Sequence, residues 1–169
     1  MAEVREHGEL GAGADEVWKL VRDFGGFLEA MGVPVELQGE GIGQTRKITL
    51  GSEPTVERLE ERDDDARRLV YSIVSGALPV VDYMSTMQLS AVGASRTRLD
   101  WSSTFEPAAG ISEQDALKAV SRVYKGASAR CRPDSAPDPS AAPDRALRLP
   151  SPSPWRRSPA ARRRHRARV

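Results

Sequence analysis

The stretch TRLDWSSTF, residues 97–105, decides the fold of this 169-residue chain. Its alternating positions are Leu99, Trp101, Ser103 and Phe105 on one side, and Arg98, Asp100, Ser102 and Thr104 on the other. Strict alternation over nine residues predicts a β-strand with one face towards a core. Earlier segments have the same extended character: residues 33–39, 44–50, 55–62, 67–75 and 80–92, and more weakly 2–10. Turns rich in Gly, Pro, Asp and Ser separate them, which favours hairpin-connected antiparallel strands.

Two regions have helical rather than alternating spacing. Apolar residues from Val17 to Phe24 predict a helix over residues 15–24, and residues 27–31 could add one or two turns. Ser112 resembles an N-cap, and the helix of about 17 residues predicted after it carries an apolar stripe of Ala116, Leu117, Val120, Val123, Tyr124 and Ala127. Helices segregated in sequence from a run of antiparallel strands predict an α+β fold rather than an α/β fold.

The sheet face predicted to cover the long helix is not purely aliphatic. Its inward positions include Tyr71, Tyr83, Ser85, Trp101 and Ser103, whereas a tightly packed core would be expected to use Leu, Ile, Val and Phe. A sheet that curls around a helix touches it along a line and diverges elsewhere. We therefore expect a cavity with polar groups among aromatic rings, as in small-molecule sites.

Charge is distributed unevenly along the chain. Residues 1–130 carry a net charge of −6, and residues 131–169 carry +7 together with 8 of the 12 prolines. A Pro- and Arg-rich segment with few large aliphatic residues cannot bury enough surface to fold. We therefore predict a ligand-binding domain at 1–130 and a disordered basic tail at 131–169. Two alternatives stay open for the tail: weak, non-specific contact with nucleic acid or acidic membrane, and the product of a frame-shifted, GC-rich reading frame.

Several classes of protein and site are disfavoured. No apolar run approaches the ~20 residues that span a bilayer, and the N-terminus lacks the regions of a secretory signal. Cys131 is the single cysteine, and His7 and His165 stand at opposite ends of the sequence, so neither a disulfide framework nor a Cys- or His-based metal centre is expected. The sequence predicts a cytoplasmic protein without metal or cofactor, as a monomer or weak dimer.

The chain resembles the START-like superfamily, also called SRPBCC or Bet v 1-like, and within it the polyketide cyclase/dehydrase group of small bacterial proteins. The resemblance covers about residues 3–128. It is carried by an ordered set of segments: DEVWKLVRDFGGF (15–27), GIGQTRKITL (41–50), VERLEERDDDARRLVYSIVSGALPVVDYMSTMQL (56–89) and LDWSSTFEP (99–107). It implies a helix-grip fold, in which a curved antiparallel sheet wraps around a long C-terminal helix and two short helices follow strand 1.

The same segments are similar to the plant abscisic acid receptors of the PYR/PYL group. That resemblance implies pocket-facing roles for Glu57, in a Glu-Arg-Leu strand, for Tyr71, and for Tyr83 and Ser85, which match an Asn-Tyr-x-Ser strand. The chain departs from those receptors at the gate and latch loops, which are Gly51-Ser52-Glu53-Pro54 and Leu78-Pro79-Val80 here. A related pocket is therefore expected, and hormone reception is not.

Two hypotheses of function follow. The first is a protein that binds a small hydrophobic, oxygenated ligand such as a polyketide, lipid or isoprenoid. The second is a polyketide cyclase or dehydratase, with Glu57 as general base and Tyr83 or Tyr71 as hydrogen-bond donor to a developing enolate oxygen. The residues predicted to bind the ligand are Glu57, Tyr71, Tyr83, Ser85, Met87, Trp101, Ser103, Ala119 and Val123.

Several charged and aromatic residues also have structural alternatives to a role in ligand binding. Glu57 could instead pair with Arg46 or Arg68, or face water in a charged strand. Trp101 could pack under the C-terminal helix. Arg46 and Lys47 could neutralise an anionic ligand, but a solvated face is favoured for both.

Overall fold

A computed structural model gives the structure of residues 1–49 and 53–130, with side chains up to residue 126 in the last helix. The predicted tail, residues 131–169, lies outside this described part, as do Leu50 and two residues of the predicted gate loop, Gly51 and Ser52. The elements are β1 (Ala2–Leu10), α1 (Ala14–Arg22), α2 (Gly26–Ala30), β2 (Val35–Gln38), β3 (Thr45–Ile48), β4 (Thr55–Asp63), β5 (Arg68–Ser75), β6 (Val80–Gly93), β7 (Arg96–Pro107) and α3 (Glu113–Arg130).

The strands form one antiparallel sheet in the order β1-β7-β6-β5-β4-β3-β2. Consecutive strands from β2 to β7 are neighbours, and β1 returns to pair with β7. The α+β helix-grip prediction is confirmed, and each predicted strand overlaps an observed one. The Ser112 N-cap is also confirmed, because its Oγ accepts a hydrogen bond of 3.1 Å from the Asp115 amide.

Alternation places the predicted inward residues in rows across the sheet. Leu89 pairs with Leu99 near one end. The next row joins Leu69, Met87 and Trp101, and the row after it joins Leu59, Tyr71, Ser85 and Ser103. All of these residues are buried. The interior therefore changes from aliphatic to aromatic and polar along the strands.

Helix α1 covers the aliphatic end of the sheet, where the β4–β5 and β6–β7 turns lie. Val17, Trp18 and Val21 are buried in the core, and Trp18 Nε1 donates a hydrogen bond of 2.9 Å to Asp64 Oδ1 in the β4–β5 turn. We call this region, with Leu69, Leu89 and Leu99, the closed end of the sheet.

Helix α3 lies against β1 and β7. Ala116, Val120 and Tyr124 on its apolar stripe are at most 1% exposed. Val123 belongs to the same stripe but is 44% exposed, because the cavity described below opens beside it. Among the described residues, the helices are all too short or too polar to cross a membrane.

Candidate functional site

A cavity of about 520 Å³ lies at the end of the sheet opposite α1, which we call the open end. This volume falls within the range of roughly 300–1,000 Å³ that is typical of small-molecule sites. The cavity is lined by Leu28, Met31, Val33, Arg46, Ile48, Glu53, Thr55, Glu57, Tyr71, Ile73, Ala77, Leu78, Tyr83, Trp101, Arg122, Val123, Tyr124 and Gly126. Exposed residues such as Glu53, Ala77 and Val123 form its rim, and buried aromatic and charged residues form its floor.

An ion pair lies on the floor of the cavity. Arg46 on β3 and Glu57 on β4 stand directly opposite each other in the sheet register. Arg46 Nε donates a hydrogen bond of 2.6 Å to Glu57 Oε2, and the two residues are only 4% and 8% exposed. Glu57 therefore has both predicted properties at once, because it lines the cavity and also pairs with Arg46.

The guanidinium of Arg46 is held on several sides. Its Nη1 donates a hydrogen bond of 2.6 Å to the Phe24 carbonyl, and its Cζ lies 4.2 Å from the ring centre of Phe24 and 4.7 Å from that of Tyr71. Such contacts with ring faces stabilise a cation that has left water.

The prediction of a solvated face is wrong for Arg46. Alternation within β3 puts Arg46 on the same side as buried Ile48, and the Glu57 carboxylate makes its burial tolerable. Lys47 lies on the opposite side, where its Nζ is 3.1 Å from Glu36 Oε1.

A chain of hydroxyl groups runs through the centre of the interior. The Tyr83 and Tyr124 hydroxyl oxygens are 2.9 Å apart, and Tyr124 lies 2.8 Å from Ser85 Oγ. Ser85 Oγ is also 3.1 Å from the Ser102 carbonyl oxygen. Trp101 Nε1 donates to Ser85 Oγ at 2.9 Å and to the Tyr71 hydroxyl at 3.1 Å.

Ring packing fixes these polar groups in place. Trp101 stacks on Tyr124 with 4.4 Å between ring centres, so it packs under α3 and lines the cavity as well. Tyr83 stacks on Phe105 at 6.2 Å. Aromatic contacts of this kind add stabilisation beyond the area that they bury.

A β-bulge in β6 places Tyr83 against Phe105. Val81 pairs with Glu106 and Met84 with Thr104, so that Asp82 and Tyr83 together face Phe105. Asp82 has a φ of +50°, in the left-handed region that Asp tolerates better than most residues.

Burial raises the pKa of all three phenols. For Tyr71 the loss of solvation is the largest cause, followed by the nearby negative charge of Glu57. For Tyr83 and Tyr124, burial is again the largest cause of the raised pKa. All three phenols are therefore protonated at neutral pH and act as neutral hydrogen-bonding groups.

The predicted site residues fall into two groups. Glu57, Tyr71, Tyr83, Trp101 and Val123 line the cavity. The others are not part of its lining: Ser85, Met87 and Ser103 are buried behind it, and Ala119 is half-buried on α3. Ligand contact by any of these nine residues stays a prediction.

Sequence reasoning missed several parts of the site. Tyr124 was assigned only to the apolar stripe of α3, yet its hydroxyl joins Tyr83 to Ser85. Arg122 at the rim was not singled out. The apolar wall formed by Leu28, Met31, Val33 and Ile48 depends on how α2 packs against β3, and no local pattern indicated that contact.

The described residues contain no group of three or more His, Cys, Asp or Glu side chains that could hold a metal ion. The polar groups among the residues that line the cavity are one buried ion pair, Glu53 and Arg122 at the rim, and neutral hydroxyl and indole groups.

Comparison with known proteins finds one matching family and several solved structures of similar fold. The family described as polyketide cyclase / dehydrase and lipid transport matches residues 1–135. A search of curated proteins found no match. Among solved structures, an uncharacterised protein from Bacillus thuringiensis is 26% identical over 79% of this chain and 98% of its own, with a TM-score of 0.71.

Two enzymes share the fold at lower identity. The ZhuI aromatase/cyclase from a Streptomyces species is 20% identical, over 76% of this chain and 87% of its own, with a TM-score of 0.62. Norcoclaurine synthase from Thalictrum flavum, solved with dopamine and hydroxybenzaldehyde, is 20% identical over 77% and 83%, with a TM-score of 0.59.

Proposed function

The chain belongs to the polyketide cyclase / dehydrase and lipid transport family, and from that premise we propose that it binds a small, largely apolar, oxygenated molecule in the cavity at the open end of its sheet. The observation that carries the proposal is the cavity itself, which has the volume of a small-molecule site. A polyketide, a lipid or an isoprenoid has the required chemistry.

The composition of the walls supports this class of ligand. Leu28, Val33, Ile48 and Ile73 supply an aliphatic surface, and the aromatic rings supply flat faces. The buried polar groups converge on the floor of the cavity. There they would orient the oxygen atoms of a neutral ligand rather than solvate a charged ligand. The Arg46 charge is already balanced by Glu57, which favours a neutral ligand over an anion.

A cyclase or dehydratase is the second candidate, because Glu57 lines the cavity and the family includes cyclases and dehydrases by its description. In that reaction Glu57 would remove a proton next to a carbonyl group, and Tyr71 or Tyr83 would hydrogen-bond the enolate oxygen. Arg46 donates a hydrogen bond of 2.6 Å to Glu57 Oε2, so that carboxylate oxygen is already occupied and is less available to accept a substrate proton. This contact favours ligand binding over catalysis as the first candidate.

Native mass spectrometry of freshly purified protein, followed by extraction, tests the binding proposal. A bound apolar molecule is expected. Val123→Trp at the rim should reduce its occupancy severalfold by filling the entrance. Val92→Trp is a matched control, because Val92 is similarly exposed (41%) but is not part of the cavity lining. Equal occupancy in both variants, or no bound molecule in any preparation, would contradict the proposal.

Glu57→Gln separates the two candidates. If the chain is an enzyme, the variant should lose turnover of poly-β-ketone substrates while ligand affinity stays within about tenfold, or ~1.4 kcal/mol. If no substrate in such a panel is consumed by the unaltered protein while a ligand still co-purifies, the enzyme candidate is rejected and the binding proposal stands.

A further inference from the structure

The ion pair on the cavity floor leaves two of its atoms without a partner. Arg46 donates through Nε to Glu57 Oε2 and through Nη1 to the Phe24 carbonyl, each at 2.6 Å. In the part of the chain that the structure describes, no residue forms a hydrogen bond with Arg46 Nη2 or with Glu57 Oε1. One donor and one acceptor of the ion pair are therefore left for a ligand.

Both atoms border the cavity. The buried side-chain nitrogen and oxygen atoms that lack a hydrogen-bond partner are, among the described residues, Arg68 Nε and Ser103 Oγ. Arg46 Nη2 and Glu57 Oε1 also lack a partner but do not belong to this buried set, so each must reach open space. Both residues are buried overall, and the open space that both of them line is the cavity.

The chemistry of the two atoms fixes the direction of the hydrogen bonds that they can form. A guanidinium nitrogen only donates, and an ionised carboxylate oxygen only accepts. Nη2 belongs to the same guanidinium as Nε, and Oε1 belongs to the same carboxylate as Oε2. The two atoms therefore flank the hydrogen bond that joins Arg46 to Glu57, and the floor presents a donor and an acceptor side by side.

A ligand that fills the cavity removes water from both atoms. If the ligand lacks matching groups, the two charged side chains lose hydrogen bonds to water without replacement, which is costly. A ketone or an ester can accept from Arg46 but leaves Glu57 Oε1 unpaired. A carboxylate has the same defect, and its negative charge is also repelled by that of Glu57.

We propose that the cavity takes a ligand with a carboxamide or lactam group on an apolar skeleton. The amide carbonyl accepts from Arg46 Nη2, and the amide N–H donates to Glu57 Oε1, so one neutral planar group serves both atoms. A hydroxyl group can also accept and donate, but its single oxygen would have to lie within hydrogen-bond distance of both. This inference rests on the proposed binding function.

Three naphthalenes of similar size test the proposal. The first, 2-naphthamide, carries the amide, 2-acetylnaphthalene has CH3 in place of its NH2, and 2-naphthalenemethanol carries a hydroxyl group. Isothermal titration calorimetry gives their affinities. We expect the unaltered protein to bind the amide roughly fivefold more tightly than the ketone, the effect of one additional hydrogen bond, and more tightly than the alcohol. Equal affinities for amide and ketone, or tighter binding of the alcohol, would overturn the proposal.

Glu57→Gln should remove the preference for the amide. The oxygen of the introduced side chain can keep the hydrogen bond from Arg46 Nε, and its NH2 group then stands in place of Oε1 as a donor. The variant should bind 2-naphthamide no more tightly than 2-acetylnaphthalene. It should also bind the 2-naphthoate anion severalfold more tightly than the unaltered protein, because the Arg46 charge is no longer balanced.

Glu36→Gln is the matched control for this variant. It makes the same chemical change in the carboxylate that pairs with Lys47 at 3.1 Å, the ion pair next to Arg46 along β3. Glu36 and Lys47 are not part of the cavity lining, so the preference for the amide should persist. A preference for the amide that persists in Glu57→Gln as well would contradict the assigned contact.

The possible failures are distinct. If the unaltered protein binds none of the three naphthalenes, the proposed binding function fails and this inference fails with it. If it binds all three with the same affinity, the cavity binds apolar molecules and only the assignment of the amide is wrong.

Discussion

The concave side of one sheet is filled in two different ways. At the closed end, Leu69, Leu89 and Leu99 pack under α1 and are at most 6% exposed. At the open end the inward residues are Arg46, Glu57 and three tyrosines, and they surround a cavity of about 520 Å³.

The two ends differ in what their side chains use as partners. Aliphatic groups gain stability from any close contact that excludes water. Phenols, an indole and an ion pair must also satisfy directional bonds, and here they find them in one another. The side chains of the open end can therefore hold one another in place without filling the cavity in front of them. We expect substitutions at the closed end to change stability and substitutions at the cavity rim to change binding.

The largest effect is expected from Arg46→Met at the open end. It leaves the Glu57 carboxylate buried without its cation, and breaking such a pair costs about 4 kcal/mol of the free energy of unfolding. The double variant Arg46→Met/Glu57→Leu removes both charges and should regain most of that stability. Urea denaturation measures both. If the single and double variants lose equal stability, the packing of Arg46 against Phe24 and Tyr71 matters more than its charge.

Leu69→Ala at the closed end is expected to cost about 3 kcal/mol, because it removes a side chain that is 1% exposed and leaves a cavity. Leu20→Ala on α1 is the control, since Leu20 is 44% exposed, and should change stability by less than about 0.5 kcal/mol. Leu69→Ala should not reduce the occupancy of a co-purified molecule in native mass spectra, because Leu69 is not part of the cavity lining. A parallel loss of occupancy and stability would show that the two ends are coupled.

Tyr124→Phe removes two hydrogen bonds from the hydroxyl chain but keeps the ring stacked on Trp101. We expect a loss of about 1–2 kcal/mol of the free energy of unfolding, smaller than that of Leu69→Ala. Urea denaturation measures it. A loss as large as that of Leu69→Ala would mean that the hydroxyl chain is the main support of the open end.

The fold follows from the sequence because its signals are local. Alternation in residues 97–105 and the Ser112 cap predict β7 and α3 within a few residues. Alternation within each strand also predicts that Tyr71, Tyr83 and Trp101 share a face of the sheet. Alternation alone does not tell whether a charged residue on that face is buried. Arg46 needs Glu57 on the next strand and the Phe24 carbonyl from a distant loop, and these partners meet only in the folded chain.

The smallest effect is expected at the closed end, from Asp64. Hydrogen bonds from Arg22 and then from Trp18 lower the pKa of this carboxyl below 3.8. A carboxyl with a lowered pKa in the folded state stabilises the fold above its unfolded pKa, and this contribution is lost as the pH falls towards the folded value. Asp64 is 52% exposed, so solvent and salt weaken the effect. Asp64→Asn should lower the urea midpoint slightly at pH 7, and the difference should shrink progressively as the pH falls below about 4. Asp65→Asn on the same turn is the control, and an equal, pH-independent shift in both variants would show that the turn, not the Asp64 charge, is responsible.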